Sequence, residues 1–169
     1  KLQSLFFMPL FGINNATISI IAYNYGARKP KRITHTLKLA TTVAVCIMLV
    51  GLAAFQLIPE KLLGIFNPSE DFLAIGVKAL RILCLPFPVA AVCIALSGSF
   101  QALGNGTYST IVSLCRQLLV LLPTAYLLSL TGDVNNVWWS FPIAEVASAL
   151  VSLGRDELDR LIREEEKID

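Results

Sequence analysis

The sequence predicts an all-α, polytopic membrane protein with about five transmembrane helices. Three observations point there. Hydrophobic residues make up 55% of the chain and the mean hydropathy is +0.67, against roughly 45–50% apolar residues in soluble domains. Charges gather in a few short places; none lies between Lys38 and Glu60, for example. Within those gaps apolar residues run all round the helix instead of along one stripe, which means lipid or deep burial on every side.

The first segment, 5–25, contains Pro9, Gly12, Asn14, Asn15 and Asn24. It is expected to be a broken or cavity-lining helix, because backbone and amide groups left in lipid are costly. A short basic loop follows with Arg28, Lys29, Lys31 and Arg32. The second span, 36–58, ends at Pro59. Leu62, Leu63, Ile65 and Phe66 in the mixed loop 60–71 suggest a short helix at the membrane interface. The third span covers 82–103. Lys78 and Arg81 precede it, and Pro86 and Pro88 are expected to bend its outer part. Ala95, Ser97, Gly98, Ser99 and Ala102 make its inner end narrow enough for close helix approach. A turn at 104–106 leads to the fourth span, 110–130, which carries Arg116, Gln117 and Pro123. Trp138 and Trp139 suit an aromatic belt. The fifth span, 137–153, holds Glu145. Residues 154–169 switch to a charged, helical, solvated tail, with Asp156/Arg160 and Asp159/Arg163 as i,i+4 pairs worth a few tenths of a kcal/mol each.

Orientation follows from Lys and Arg. The basic loop 28–32 is expected on the cytoplasmic side, and alternation then puts the charged tail there too. Lys78 and Arg81 count against this, but acids accompany them. The implied location is the plasma (inner) membrane. The chain opens on Lys1 without a signal peptide pattern, and is expected to be the C-terminal part of a longer protein.

Several function classes drop out. There is no HExxH, GxSxG or P-loop, and His35 is the only histidine, so no enzyme is indicated. His35 is expected at the cytoplasmic interface. Cys46, Cys84, Cys93 and Cys115 lie in apolar runs without a CxxC pair. No metal site, disulfide framework or cofactor is expected. No basic helix carries interleaved aromatics, which argues against nucleic acid.

Polar groups inside apolar runs are the candidates for function. A guanidinium in hydrocarbon costs about 3 kcal/mol on insertion scales. Two readings of Arg116 stand: it faces an interior cavity to hold a carboxylate or an anionic or polar substrate group, or it caps helix ends through carbonyls. Gln117 is the simpler case of an interhelical hydrogen bond. Glu145 is a coupling or gating group, an ion-pair partner for Arg116, or a carboxylate reaching water near its helix end. Asn14 and Asn15 face protein or water, as substrate contacts or as glue between helices.

Specific strings carry a resemblance. Residues 9–15 (PLFGINN) and 21–33 (IAYNYGARKPKRI) resemble the eighth helix and following loop of the MATE family of multidrug efflux transporters. Residues 98–106 (GSFQALGNG, with Gln101) and 113–118 (SLCRQL) resemble its tenth and eleventh helices, and 137–145 (VWWSFPIAE) the start of its twelfth. The resemblance implies two lobes of six helices, of which this chain is most of the second, without the first lobe or the seventh helix. It implies a cation-coupled antiporter, driven by H⁺ or Na⁺, that exports amphipathic or cationic small molecules by alternating access. Asn14, Asn15, Gln101, Arg116, Gln117 and Glu145 become its substrate or ion pathway candidates. The family's cation-binding Asp in the tenth helix is absent from 82–103, which brings the chain closer to the staphylococcal and DinF-like branch. Two other readings compete: a lipid-linked oligosaccharide flippase of related helix plan, and a non-transporting truncated scaffold. A flippase should carry several interior cations, and only Arg116 lies deep.

Overall fold

The computed structural model describes residues 2–66, 69–104, 106–132 and 134–152. The charged tail and its ion pairs, and the middle of the 104–106 turn, lie outside the described residues. Among the described residues all regular structure is helical.

Helix α1, Ser4–Gly26, is unbroken although Pro9 sits inside it. Proline falls in the second turn, where few helical bonds precede it, so its missing N–H costs little. Of the two expectations for this segment, the break is therefore corrected. Leu10, Thr17, Ile21 and Asn24 are its buried residues. Spaced at i, i+7, i+11 and i+14, they form one stripe, which Asn14 joins at i+4. Thr17 Oγ1 donates to the Ile13 carbonyl at 2.8 Å, and Asn24 Nδ2 to the Ile20 carbonyl at 2.8 Å. These bonds satisfy buried donors inside the helix itself.

Helix α2, Pro30–Leu57, starts six residues before the expected span. Proline at its first position loses nothing, because that N–H has no helical partner. Lys31 and Arg32 thus belong to a helix turn and not to the loop. Helix α3, Pro59–Gly64, is the short helix expected there.

Helix α4, Glu70–Leu83, is the element least foreseen. Ser69 Oγ accepts the Phe72 N–H at 3.4 Å, Glu70 and Asp71 fill the first turn, and Arg81 the last. Those signals complement the helix dipole. The chain then bends by 50° into α5, Phe87–Ala102. The bend expected within the outer part of the third span is instead a break at 84–86, between two helices. Gln56 Nε2 donates to the Arg81 carbonyl at 3.0 Å and contacts Cys84 Sγ at 3.4 Å, tying α2 to this break.

Helix α6, Gly106–Leu114, passes directly into a π-helical segment, Cys115–Leu121, and then into α7, Leu122–Ser129. The Leu122 N–H bonds to the Gln117 carbonyl, five residues back. Pro123 supplies no N–H to the turn before it, which favours such a widened register. Helices α8, Val134–Val137, and α9, Ser140–Ser152, complete the described chain.

Helices α1, α2 and α5 pack as a trio, and α9 packs on both α5 and the π segment. At one end of the trio Phe6 meets Phe55 edge-on at 5.4 Å, and Phe7 meets Phe87 edge-on at 5.5 Å. Phe55, Phe87, Met48 and Cys84 are fully buried there. Ile21, Ile33, Phe100 and Leu103 close the opposite end. In a bilayer such contacts stabilise through dispersion, since lipid is as apolar as the core. Helices α1 and α2 are long and apolar enough to cross a membrane alone, and α4–α5 makes a third crossing if taken as one bent span.

Candidate functional site

Two groups of polar residues stand out inside this apolar frame. The first joins the π segment to α9. Arg116 Nη1 donates to Glu145 Oε1, closing an ion pair across 29 residues. The Arg116 side chain is 38% exposed and that of Glu145 16%. Of the expectations for the two residues, the ion pair is the one present. Arg116 is only half-buried, and Gln117 is exposed. Adjacent helical residues point about 100° apart, so both cannot face one partner. A π segment places the guanidinium where a regular helix would rotate it elsewhere.

One turn along α9 from Glu145, Ala149 lines a cavity of about 380 Å³. Val45 of α2 and Val89, Val92, Cys93 and Leu96 of α5 supply most of the remaining wall. The lining side chains are apolar throughout. Residues i and i+4 share a helix face, so one carboxylate–guanidinium pair borders an otherwise hydrocarbon-like space. Cavities of this size and character suit small organic molecules.

The second group lies midway along the trio. A Cβ on Gly98 would overlap the Asn14 carboxamide, coming within 2.9 Å of its Cγ. Glycine is therefore what allows α1 and α5 to touch here. Asn14 Oδ1 is buried without a hydrogen-bond partner among the described residues. Asn14 and Thr17 border a second cavity of only about 10 Å³, with Ala40 and Ala44 of α2 and Ala95 of α5. Asn24 Oδ1, near the end of the same stripe, is likewise buried and unpartnered among the described residues.

The remaining expected positions scatter. Asn15 and Gln101 are exposed, as is His35. Asn14 and the Arg116–Glu145 pair form separate sites. Arg28, Lys29, Lys31 and Arg32 are all exposed around the α1–α2 turn. Sequence reasoning did not assign Thr17 or Gly98 a role at the site; their spacing along the α1 and α5 stripes was the available signal.

The MatE family model matches residues 1–127. The chain is 24% identical to the multidrug export protein MepA of Staphylococcus haemolyticus over 144 residues, and 23% to that of Staphylococcus aureus strain RF122. Each alignment covers 85% of this chain and about a third of the relative, 31% and 32%. Among solved structures, the MATE multidrug transporter DinF-BH in complex with rhodamine 6G is 32% identical, with a TM-score of 0.86 over 95% of this chain and 36% of that one. A MATE structure in complex with MaL6 is 25% identical, with a TM-score of 0.88 over 96% and 38%. The chain thus spans about a third of the length of the relatives it matches. MatE proteins are transporters and not enzymes, and this chain belongs to the MatE family.

Proposed function

We propose that this chain is the substrate-facing part of a second lobe in an efflux antiporter for amphipathic, cationic organic molecules. The single observation that carries this reading is the apolar cavity of about 380 Å³ bordered by Glu145 and Arg116. An amphipathic cation has an apolar body for such a space and a charge that competes with Arg116 for Glu145. The first lobe of the same transporter would supply the opposite wall. Inward flow of H⁺ or Na⁺ would drive export, with the two lobes rocking about a central site. The basic α1–α2 end would face the cytoplasm, with the C-terminus on the same side, in the plasma membrane.

One geometric fact favours efflux over a flippase for pyrophosphate-linked lipids. The deep cation Arg116 is neutralised by Glu145, so it is not free for a phosphate. The test is binding of the cationic dye rhodamine 6G to the full-length protein, followed by the dye's fluorescence. Val92→Trp fills the cavity and should weaken binding at least tenfold, while Leu119→Trp, on an exposed helix face, should leave it unchanged. Equal binding by both variants removes the cavity from the substrate path.

A further inference from the structure

We propose that the amino-terminal turns of α2, with the α1–α2 turn, form a binding surface for the headgroups of anionic phospholipids in the leaflet at that end. Five cations crowd this end: Arg28, Lys29, Lys31, Arg32 and Lys38, all exposed. Lys31, His35 and Lys38 fall at i, i+4 and i+7, which aligns them on one helix face. Among the described residues none of these cations has an ion-pair partner. The described acids lie elsewhere: Glu60, Glu70 and Asp71 follow the far end of α2, and Glu145 is held by Arg116.

Depth places this charge at the headgroups. Helix α2 has 28 residues, whereas about 20 cross the hydrocarbon core. Roughly eight residues are left over, about two turns. With Leu57 and Pro59 at the opposite boundary, those turns are the ones bearing Lys31, Arg32 and His35. No side chain caps the amino end of α2, so its dipole adds positive potential at the same level.

Backbone strain supplies an independent observation. Arg28 has φ +51°, the only positive φ at a non-glycine position among the described residues. Hydrogen bonds from Arg28 N to Tyr25 O and from Lys29 N to Asn24 O, both 3.0 Å, hold that turn. Glycine or asparagine would adopt it more readily. A strained arginine retained in a solvent-facing turn fits a role for its charge. Diffuse attraction to an anionic surface would need none of this geometry; a cationic face at phosphate depth beside a held turn marks a defined contact.

This surface does not depend on the transport reading, and its test reads lipid and not efflux. The full-length protein is reconstituted in phosphatidylcholine bilayers, and its association with spin-labelled phosphatidylglycerol and phosphatidylcholine is compared by electron paramagnetic resonance. The expected result is selectivity for phosphatidylglycerol, lost toward parity in Lys31→Gln/Lys38→Gln and kept in Lys31→Arg/Lys38→Arg. Arg28, Lys29 and Arg32 stay in place in both variants to preserve insertion. Raising salt from 0.1 to 1 M shortens the screening length from about 10 to 3 Å, and should cut the selectivity of the unaltered protein, whether or not the variants fold. Parity in the unaltered protein, full selectivity in the Gln variant, or indifference to salt would each overturn the proposal. Equal displacement of the labelled lipid by millimolar inorganic phosphate would also overturn it, by making the surface a general anion site.

Discussion

Replacing Arg116 by Met strips Glu145 of its counter-charge inside an apolar helix pair. Two unit charges about 4 Å apart attract by about 4 kcal/mol at the effective dielectric of a partly exposed site. The 38% exposure of Arg116 and the cost of desolvating both groups reduce that, leaving a coupling of about 2 kcal/mol. Arg116→Met and Glu145→Met should each destabilise by about 3 kcal/mol, because each leaves a lone buried charge. The double replacement should cost clearly less than their sum, since apolar side chains suit the surroundings. The assay is reversible unfolding of the full-length protein in mixed micelles, read as a double-mutant cycle. An interaction energy below about 0.5 kcal/mol would show that the pair contributes nothing specific, and would refute the reasoning.

Other expectations follow from single contacts. Gly98→Ala should destabilise by about 1–3 kcal/mol through overpacking against Asn14, and Asn14→Ala should relieve most of that in the double variant; additive losses in thermal melts would contradict the contact. Phe87→Ala, emptying the centre of the Phe6–Phe7–Phe55 cluster, should cost about 3–5 kcal/mol, measured by the same unfolding titration. Pro123→Ala restores a backbone donor, so the π segment should relax toward a regular helix and rotate Arg116 away from Glu145. Stability should then hold or rise while dye efflux falls; unchanged efflux would separate the π segment from function.

Much of the fold was legible because its cause is local. The uncharged run after Lys38 marks α2, and the Asn-containing stripe of α1 needed a polar or packed environment, which α5 provides. The small residues around Gly98 signalled close approach, and Asn14 now shows what approaches. Helix α4 was hidden because its amphipathic pattern begins inside a loop-like stretch of charges; Ser69 followed by Glu70 and Asp71 was the missed start signal. The π segment could not be read from periodicity, since one widened turn changes phase without changing composition; Pro123 was its only mark. The partner of Arg116 was named in the sequence as one of several alternatives, because 29 intervening residues and a turn between helices separate it from Glu145. Gln117 and Asn15 were included for chemistry alone, and helix phase places both on exposed surfaces. Asn24 shows the converse: its spacing from Leu10, Thr17 and Ile21 was enough to predict its burial.

Ion-driven export is tested most directly by flux in sealed proteoliposomes containing the full-length transporter. Movement of the same rhodamine dye is followed while an H⁺ or a Na⁺ gradient is imposed and then collapsed with the matching ionophore. Antiport predicts dye movement against the ion flow that stops when one of the two gradients is removed, and that is lost in Glu145→Ala. Dye movement indifferent to both gradients, or none in any condition with correctly folded protein, would contradict it.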